Sequence, residues 1–271
     1  KRQLEKSRQV GATVFVHAEN GEILNFLRSE CVKKGQLTPH YHYVSRPPFT
    51  EAEAVRRAIY LAGQTDTPLY IAHMTCREAI AELQKAKGTG QRVSGETCTH
   101  YLTTTKEVLD NPDFNEAAKF VCSPALRDRE DCEALWQALS DGLLTAVSSD
   151  HCGIDVAELK QAGRNDFTQI PNGSPGAGDR LHMVWTEGVC TGKLTRQKFV
   201  DVIATQPAKI NGIYPRKGTL AVGSDADVVI FDPNYEGTVH LADNPNGVDY
   251  NLYEGRRQSG RVETVLLRGQ V

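Results

Sequence analysis

Three residues of the 271-residue chain occupy matching places after short apolar runs. His17 closes VFVH, His73 closes LYIAH 56 residues later, and Asp150 follows LLTAVSS. Two imidazoles and a carboxylate form a donor set for a divalent metal such as zinc, and a metal so held activates water for hydrolysis. Taken singly, each has an ordinary structural explanation, since a histidine after a strand often meets a backbone carbonyl and an aspartate often caps the next helix. Their shared position favours a site, because the strand ends of a parallel barrel converge on one face.

Several neighbours bear on that site. Glu19 can orient His17, whereas Asn20-Gly21 reads as a turn dipeptide. His40-Tyr41-His42 has the spacing of a paired-ligand motif, but the Pro-rich, aromatic surroundings point to packing. His100 and His151 lie near strand ends, where contact with a ligating residue or with substrate is expected, and His182 falls in a helical pattern as a structural residue. Cys152 beside Asp150 and His151 offers a thiol nucleophile, yet adjacency in sequence is weak support for a pair that must meet in space. The segment IPNGSPGAGDR, residues 170–180, is too long and too rich in Gly and Pro for a simple connector. Its free backbone groups suit either the reading of a planar amide or imide or a plain surface loop.

The elements that must position these residues alternate. A strand over 12–20 precedes a helix over 22–35 that ends at Gly35, a residue suited to a C-cap. Residues 37–49 read as a loop, 51–66 as a helix with Ala54, Ala58, Ile59, Leu61 and Ala62 on one face, and 68–75 as a strand. A helix over 76–90, a strand over 91–98, a helix over 130–142 and a strand over 143–152 continue the pattern. Interleaved strands and helices imply an α/β protein with a parallel sheet, and ionisable residues just past the strand ends favour a (β/α) barrel. A doubly wound sheet stays open, although no GxGxxG or P-loop marks the first crossover. From Tyr214 the chain turns β-rich, with DVVIFDP and VETVLLRG as strands. Two units are therefore expected, 1–213 and 214–271.

Composition narrows the partners. Lys and Arg number 31 against 34 Asp and Glu, a net charge of −3, so neither nucleic acid nor an acidic membrane is an expected partner. No run approaches the roughly 18 apolar residues of a membrane span, and KRQLEKSRQV at the start has no apolar signal region. The seven cysteines are odd in number, scattered and never in a CxxC pair, which speaks against a disulfide framework and for a reducing cytoplasm. The first residue is Lys, and KRQLEKSRQV reads as the last turns of a helix, so the chain is expected to be part of a longer one.

HAENG at 17–21, IAHMT around His73, the GET of GETCTHYL, CSPALRDRED at 122–131, SSDHC at 148–152, IPNGSPGAGDR and YPRKGTLAVGSDADVVIFDP together resemble the dihydropyrimidinases and hydantoinases of the amidohydrolase superfamily. The resemblance runs over nearly the whole chain and implies a (β/α)8 TIM-type barrel, its C-terminal portion present here, joined to a β-sandwich segment. It further implies two zinc ions bridged by hydroxide and a carbamylated lysine. His17 and His73 would bind one metal, while Asp150 would bind the other and act as general base. The backbones of Ser123 and Asn172 would hydrogen-bond a small cyclic amide or imide substrate. A homodimer or homotetramer is the implied assembly.

Three family features have no match. The family's HxH metal pair precedes the histidine matched by His17, as do its bridging lysine, about thirty residues earlier, and a tyrosine near that lysine. Here His40-Tyr41-His42 follows His17, and Lys1 and Lys6 lie too close to it. The chain alone is thus expected to lack an intact binuclear site and to leave strand edges open. A rival reading is the collapsin response mediator type, non-enzymatic assembly proteins of the same fold family in which the positions of His73 and Asp150 are substituted. Both ligand types are kept here, which favours the enzyme. A structural subunit that uses the barrel only to oligomerise has no sequence feature in its favour.

Overall fold

The computed structural model describes residues 1–271. Four short strands, β1 (Val14–Val16), β2 (Leu69–Ile71), β3 (Val93–Cys98) and β4 (Ala146–Ser148), pair in parallel and in chain order. Val14 lies opposite Leu69, Leu69 opposite Val93, and Glu96 opposite Ala146. A doubly wound sheet reverses its strand order at a switch point. No reversal occurs here, so the sheet is a singly wound arc of the kind that closes into a barrel.

Helices α1 (Arg2–Gln9), α2 (Gly21–Lys33), α3 (His40–Val44), α4 (Pro48–Gly63), α5 (Arg77–Gly88), α6 (Thr99–Thr103), α7 (Phe114–Ala118) and α8 (Arg129–Ser140) fill the first part of the chain. The apolar residues of α5, Ala79, Ile80, Leu83 and Ala86, recur at helical spacing and are all buried. Cys132, Leu135, Trp136 and Leu139 do the same on α8. With Leu69 and Ile71 of β2 and Val147 of β4, all of these but Cys132 form the main core between sheet and helices. Each fully buried Leu there contributes about 1.5–3 kcal/mol.

Two local expectations change. Residues 37–49 are not all loop: they contain α3, and α4 starts three residues before Glu51 because a proline is tolerated at the first helical position, where its missing N–H has no partner to lose. Asn20 is not a simple turn residue but the N-cap of α2, its side-chain oxygen accepting from the N–H of Ile23 at 3.2 Å. Gly35 has φ +69°, in keeping with the left-handed position past a helix end.

Gly95 in β3 marks a close approach. A Cβ there would stand 2.6 Å from Met74 Sδ and 3.2 Å from Leu83 Cδ2, both in the core and one of them next to His73. Gly95→Ala should lower stability by about 1–2 kcal/mol, read as a shift in the urea midpoint with an unchanged slope. An unshifted midpoint would show that Met74 gives way freely.

Beyond residue 180 come short helical turns and then an antiparallel ribbon of β5 (Val228–Thr238) and β6 (Arg257–Leu266), with a register shift between Asp232 and Glu236. The ribbon joins the helical part through the Ser259 N–H donating to Thr186 Oγ1 at 2.9 Å and through Phe231 against the Trp185 ring. No helix is long and apolar enough to cross a membrane.

Candidate active site

The parallel arc sets the first two ligand candidates side by side. His17 directly follows β1 and His73 follows β2 by one residue, so in-register pairing of Val16 with Ile71 brings the rings together. His17 Nδ1 lies 3.0 Å from His73 Nε2. On the far side of His17, Nε2 lies 3.0 Å from Glu19 Oε2. A carboxylate on one ring nitrogen fixes that nitrogen as the N–H donor and leaves the other as a lone pair, the arrangement of metal-ligating histidines. Two nitrogens held at 2.0–2.1 Å by one tetrahedral zinc stand about 3.3 Å apart, close to what is seen here. The pair therefore fits a divalent metal. No third His, Cys, Asp or Glu completes the set within the chain.

Charge around the pair is arranged in depth. Burial pushes the Glu19 carboxyl up, but His17 and Arg46 outweigh it and bring its pKa down to about 2, so it stays a carboxylate at any ordinary pH. Arg46 Nη1 reaches both Glu19 oxygens, at 3.1 and 2.9 Å. Burial and then the neighbouring His17 push the His73 imidazole below its usual value, which favours the neutral form that a metal needs. Behind these residues lies a fully enclosed ion pair, Arg127 with Glu51 at 3.1 Å. Arg127 Nε donates to Thr75 Oγ1 at 2.8 Å, and its Nη1 donates to the Arg46 carbonyl. Glu51 in turn accepts from the N–H of Thr75 at 2.8 Å and from its hydroxyl. One buried network thus holds the chain beside both histidines.

Asp150 stands past β4, exposed, near enough for its charge to act on His73. Only four non-glycine residues have positive φ, and two of them are His73 at +37° and Asp150 at +43°. Such backbone costs about 1–3 kcal/mol per residue and gathers where function needs it. The other two predicted contacts also meet: Ser123 Oγ donates to Asn172 Oδ1 at 2.7 Å. The Cys152 N–H donates to the Ser174 carbonyl at 2.9 Å, and His151 bridges Ser174 in parallel fashion. The Asp150 turn, the Ser123 strip and the 170–180 loop therefore form one rim.

Of the remaining candidates, His40, His42 and His182 separate from it, whereas His151 meets the 170–180 loop and His100 lies near enough to His73 to feel its charge. His40 binds Asp110 at 2.6 Å on the surface, and His42 is buried, its Nε2 donating to the Cys122 carbonyl at 2.7 Å, so the His-Tyr-His stretch packs rather than ligates. Burial drives His42 and His100 down to a pKa of about 3, leaving both neutral. His151 Nδ1 accepts from the Gly176 N–H at 3.3 Å, and burial raises the Cys152 thiol further, which disarms the thiol-nucleophile reading. His182 lies in the helical turn Arg180–Val184. Sequence reasoning missed Arg46, Glu51 and Arg127; the only local signal was an arginine inside an otherwise apolar stretch, CSPALR.

A singly wound parallel α/β arc with a histidine pair and an aspartate past its strand ends defines the class, a TIM-barrel-type α/β scaffold. More particularly, the chain belongs to the amidohydrolase family, whose model matches residues 2–271. It is 48% identical over 268 residues to a D-hydantoinase of Ralstonia pickettii, covering 99% of this chain and 58% of that protein. With a dihydropyrimidinase of Arabidopsis thaliana the identity is 39% over 268 residues, covering 99% of this chain and 50% of that one. The crystal structure of dihydropyrimidinase from Brevibacillus agri superposes with a TM-score of 0.97 at 43% identity, covering 99% of this chain and 58% of that one. The chain thus spans between half and three-fifths of the length of these relatives.

Proposed function

We propose that the protein carrying this chain opens cyclic amides, 5,6-dihydropyrimidines or 5-substituted hydantoins, to N-carbamoyl amino acids. The observation that supports this most is the meeting of His17 Nδ1 and His73 Nε2 at 3.0 Å on the same strand-end face as Asp150. In this reading His17 and His73 would hold one zinc ion and Asp150 would hold a second. When bound, the metal pair supplies Lewis acidity, which polarises the ring carbonyl and acidifies water. Asp150 takes a proton from the attacking water and delivers it to the ring nitrogen as the C–N bond breaks. The backbones of Ser123 and Asn172 orient the ring by hydrogen bonds to its amide or imide edge.

The same reading divides the chain into barrel at 1–213 and part of a β-sandwich at 214–271, the latter supported by the separate β5–β6 ribbon. Seven unpaired cysteines support a reducing compartment such as the cytoplasm. A homodimer or homotetramer is proposed on resemblance alone.

Incubating the full-length protein with zinc and either dihydrouracil or a 5-substituted hydantoin tests the activity directly. Zinc bound without turnover of either ring would refute it. His17→Ala or His73→Ala should each lower metal content from about two ions per chain toward one or none, measured by elemental analysis after gel filtration. A variant that keeps full occupancy would remove that histidine from the ligand set.

A further inference from the structure

Lys160 is the one lysine without any solvent exposure, and its ammonium has no carboxylate partner. Burial lowers its pKa to about 8, so it is charged at neutral pH. An ammonium placed this way is costly unless its hydrogen bonds do something specific. Its acceptors are the carbonyls of Ala118 at 2.8 Å and Val121 at 3.2 Å. Val121 lies two residues before Ser123, and its carbonyl also accepts from the N–H of Gly173 at 3.0 Å, the residue after Asn172. A second link crosses the same seam, Ser174 Oγ donating to the Lys119 carbonyl at 2.7 Å.

The geometry points to Lys160 as a positioning residue: it clamps the strip 118–121 to the turn at 160–163, and that strip in turn holds 172–174 through the Gly173 N–H to Val121 and Ser174 Oγ to Lys119 bonds, so that Lys160 fixes the seat on which the Ser123 and Asn172 backbones are set. Its substrate consequence rests on the cyclic-amide reading above; its structural consequence does not. The planar edge of a ring amide is read by two backbones on different loops, and a small drift between the loops spoils both hydrogen bonds at once. A charged donor resists that drift better than a neutral one, because charge-assisted bonds are roughly twice as strong.

Two measurements on full-length Lys160→Met and Lys160→Gln decide it. The first is hydrogen exchange at the Gly173 amide and at residues 121–123, which should quicken in Lys160→Met and recover in part in Lys160→Gln, which keeps a donor. The second is steady-state kinetics, where KM for the ring substrate should rise about 10-fold with kcat held within about 3-fold and metal content unchanged. Unchanged exchange overturns the clamp, as does a fall in kcat that follows loss of metal. If the parent protein opens neither ring, the proposed function fails while the exchange result still decides the clamp. Should Lys160→Met not fold, Lys160→Gln alone decides it, and a quickened exchange at the Gly173 amide is required of it.

Discussion

Asp150→Asn should cut turnover of a ring amide by about 10³-fold or more while the protein stays folded, the range expected when a positioned proton acceptor is removed. The asparagine side chain has nearly the same size, so packing is kept, but it can neither take a proton from water nor return one to the leaving nitrogen. Asp150 is exposed on its turn, and its φ of +43° is a conformation that asparagine tolerates as readily as aspartate, so the backbone has no reason to move. Thermal unfolding and single-turnover kinetics separate the two possibilities. A loss of activity that tracks a loss of folded protein would assign Asp150 a structural role, and retained turnover would remove it as the base.

The second large effect concerns stability. Arg127→Met should destabilise the fold by about 3–5 kcal/mol, since it leaves the Glu51 carboxylate enclosed without its cation. The loss reaches the site, because Arg127 also anchors Thr75, two residues past His73, and the carbonyl of Arg46, which clasps Glu19 behind His17. The double variant Glu51→Gln, Arg127→Met should recover part of the loss, as no lone charge is then buried. Urea unfolding of the two singles and the double closes the cycle. Additive effects would show that the pair is not coupled. Arg127→Lys should rescue poorly, because an ammonium cannot match three partners in the plane of a guanidinium.

Much of this was readable along the chain, and the reason is periodicity. β-branched runs alternate with apolar residues at helical spacing, and both repeats come from local geometry that each segment carries by itself. That placed the β1 and β2 strands, the α5 and α8 helices, and the three ligand candidates at strand ends. Strand lengths were less legible: the strand expected over 12–20 is ordered as β1 for only three residues, because ladder hydrogen bonds depend on a neighbour far away in sequence.

What the sequence determined by itself was the alternation, the family motifs and the donor types at His17, His73 and Asp150. Tertiary structure alone decided that His17 faces His73 across 56 residues, that Glu51 meets Arg127 across 76, and that Lys160 reaches back to the carbonyls of Ala118 and Val121. No local rule gives these. A side chain becomes buried, charged and partnered only when distant segments close on it, and that closure is set by the register of the sheet and the packing of the core.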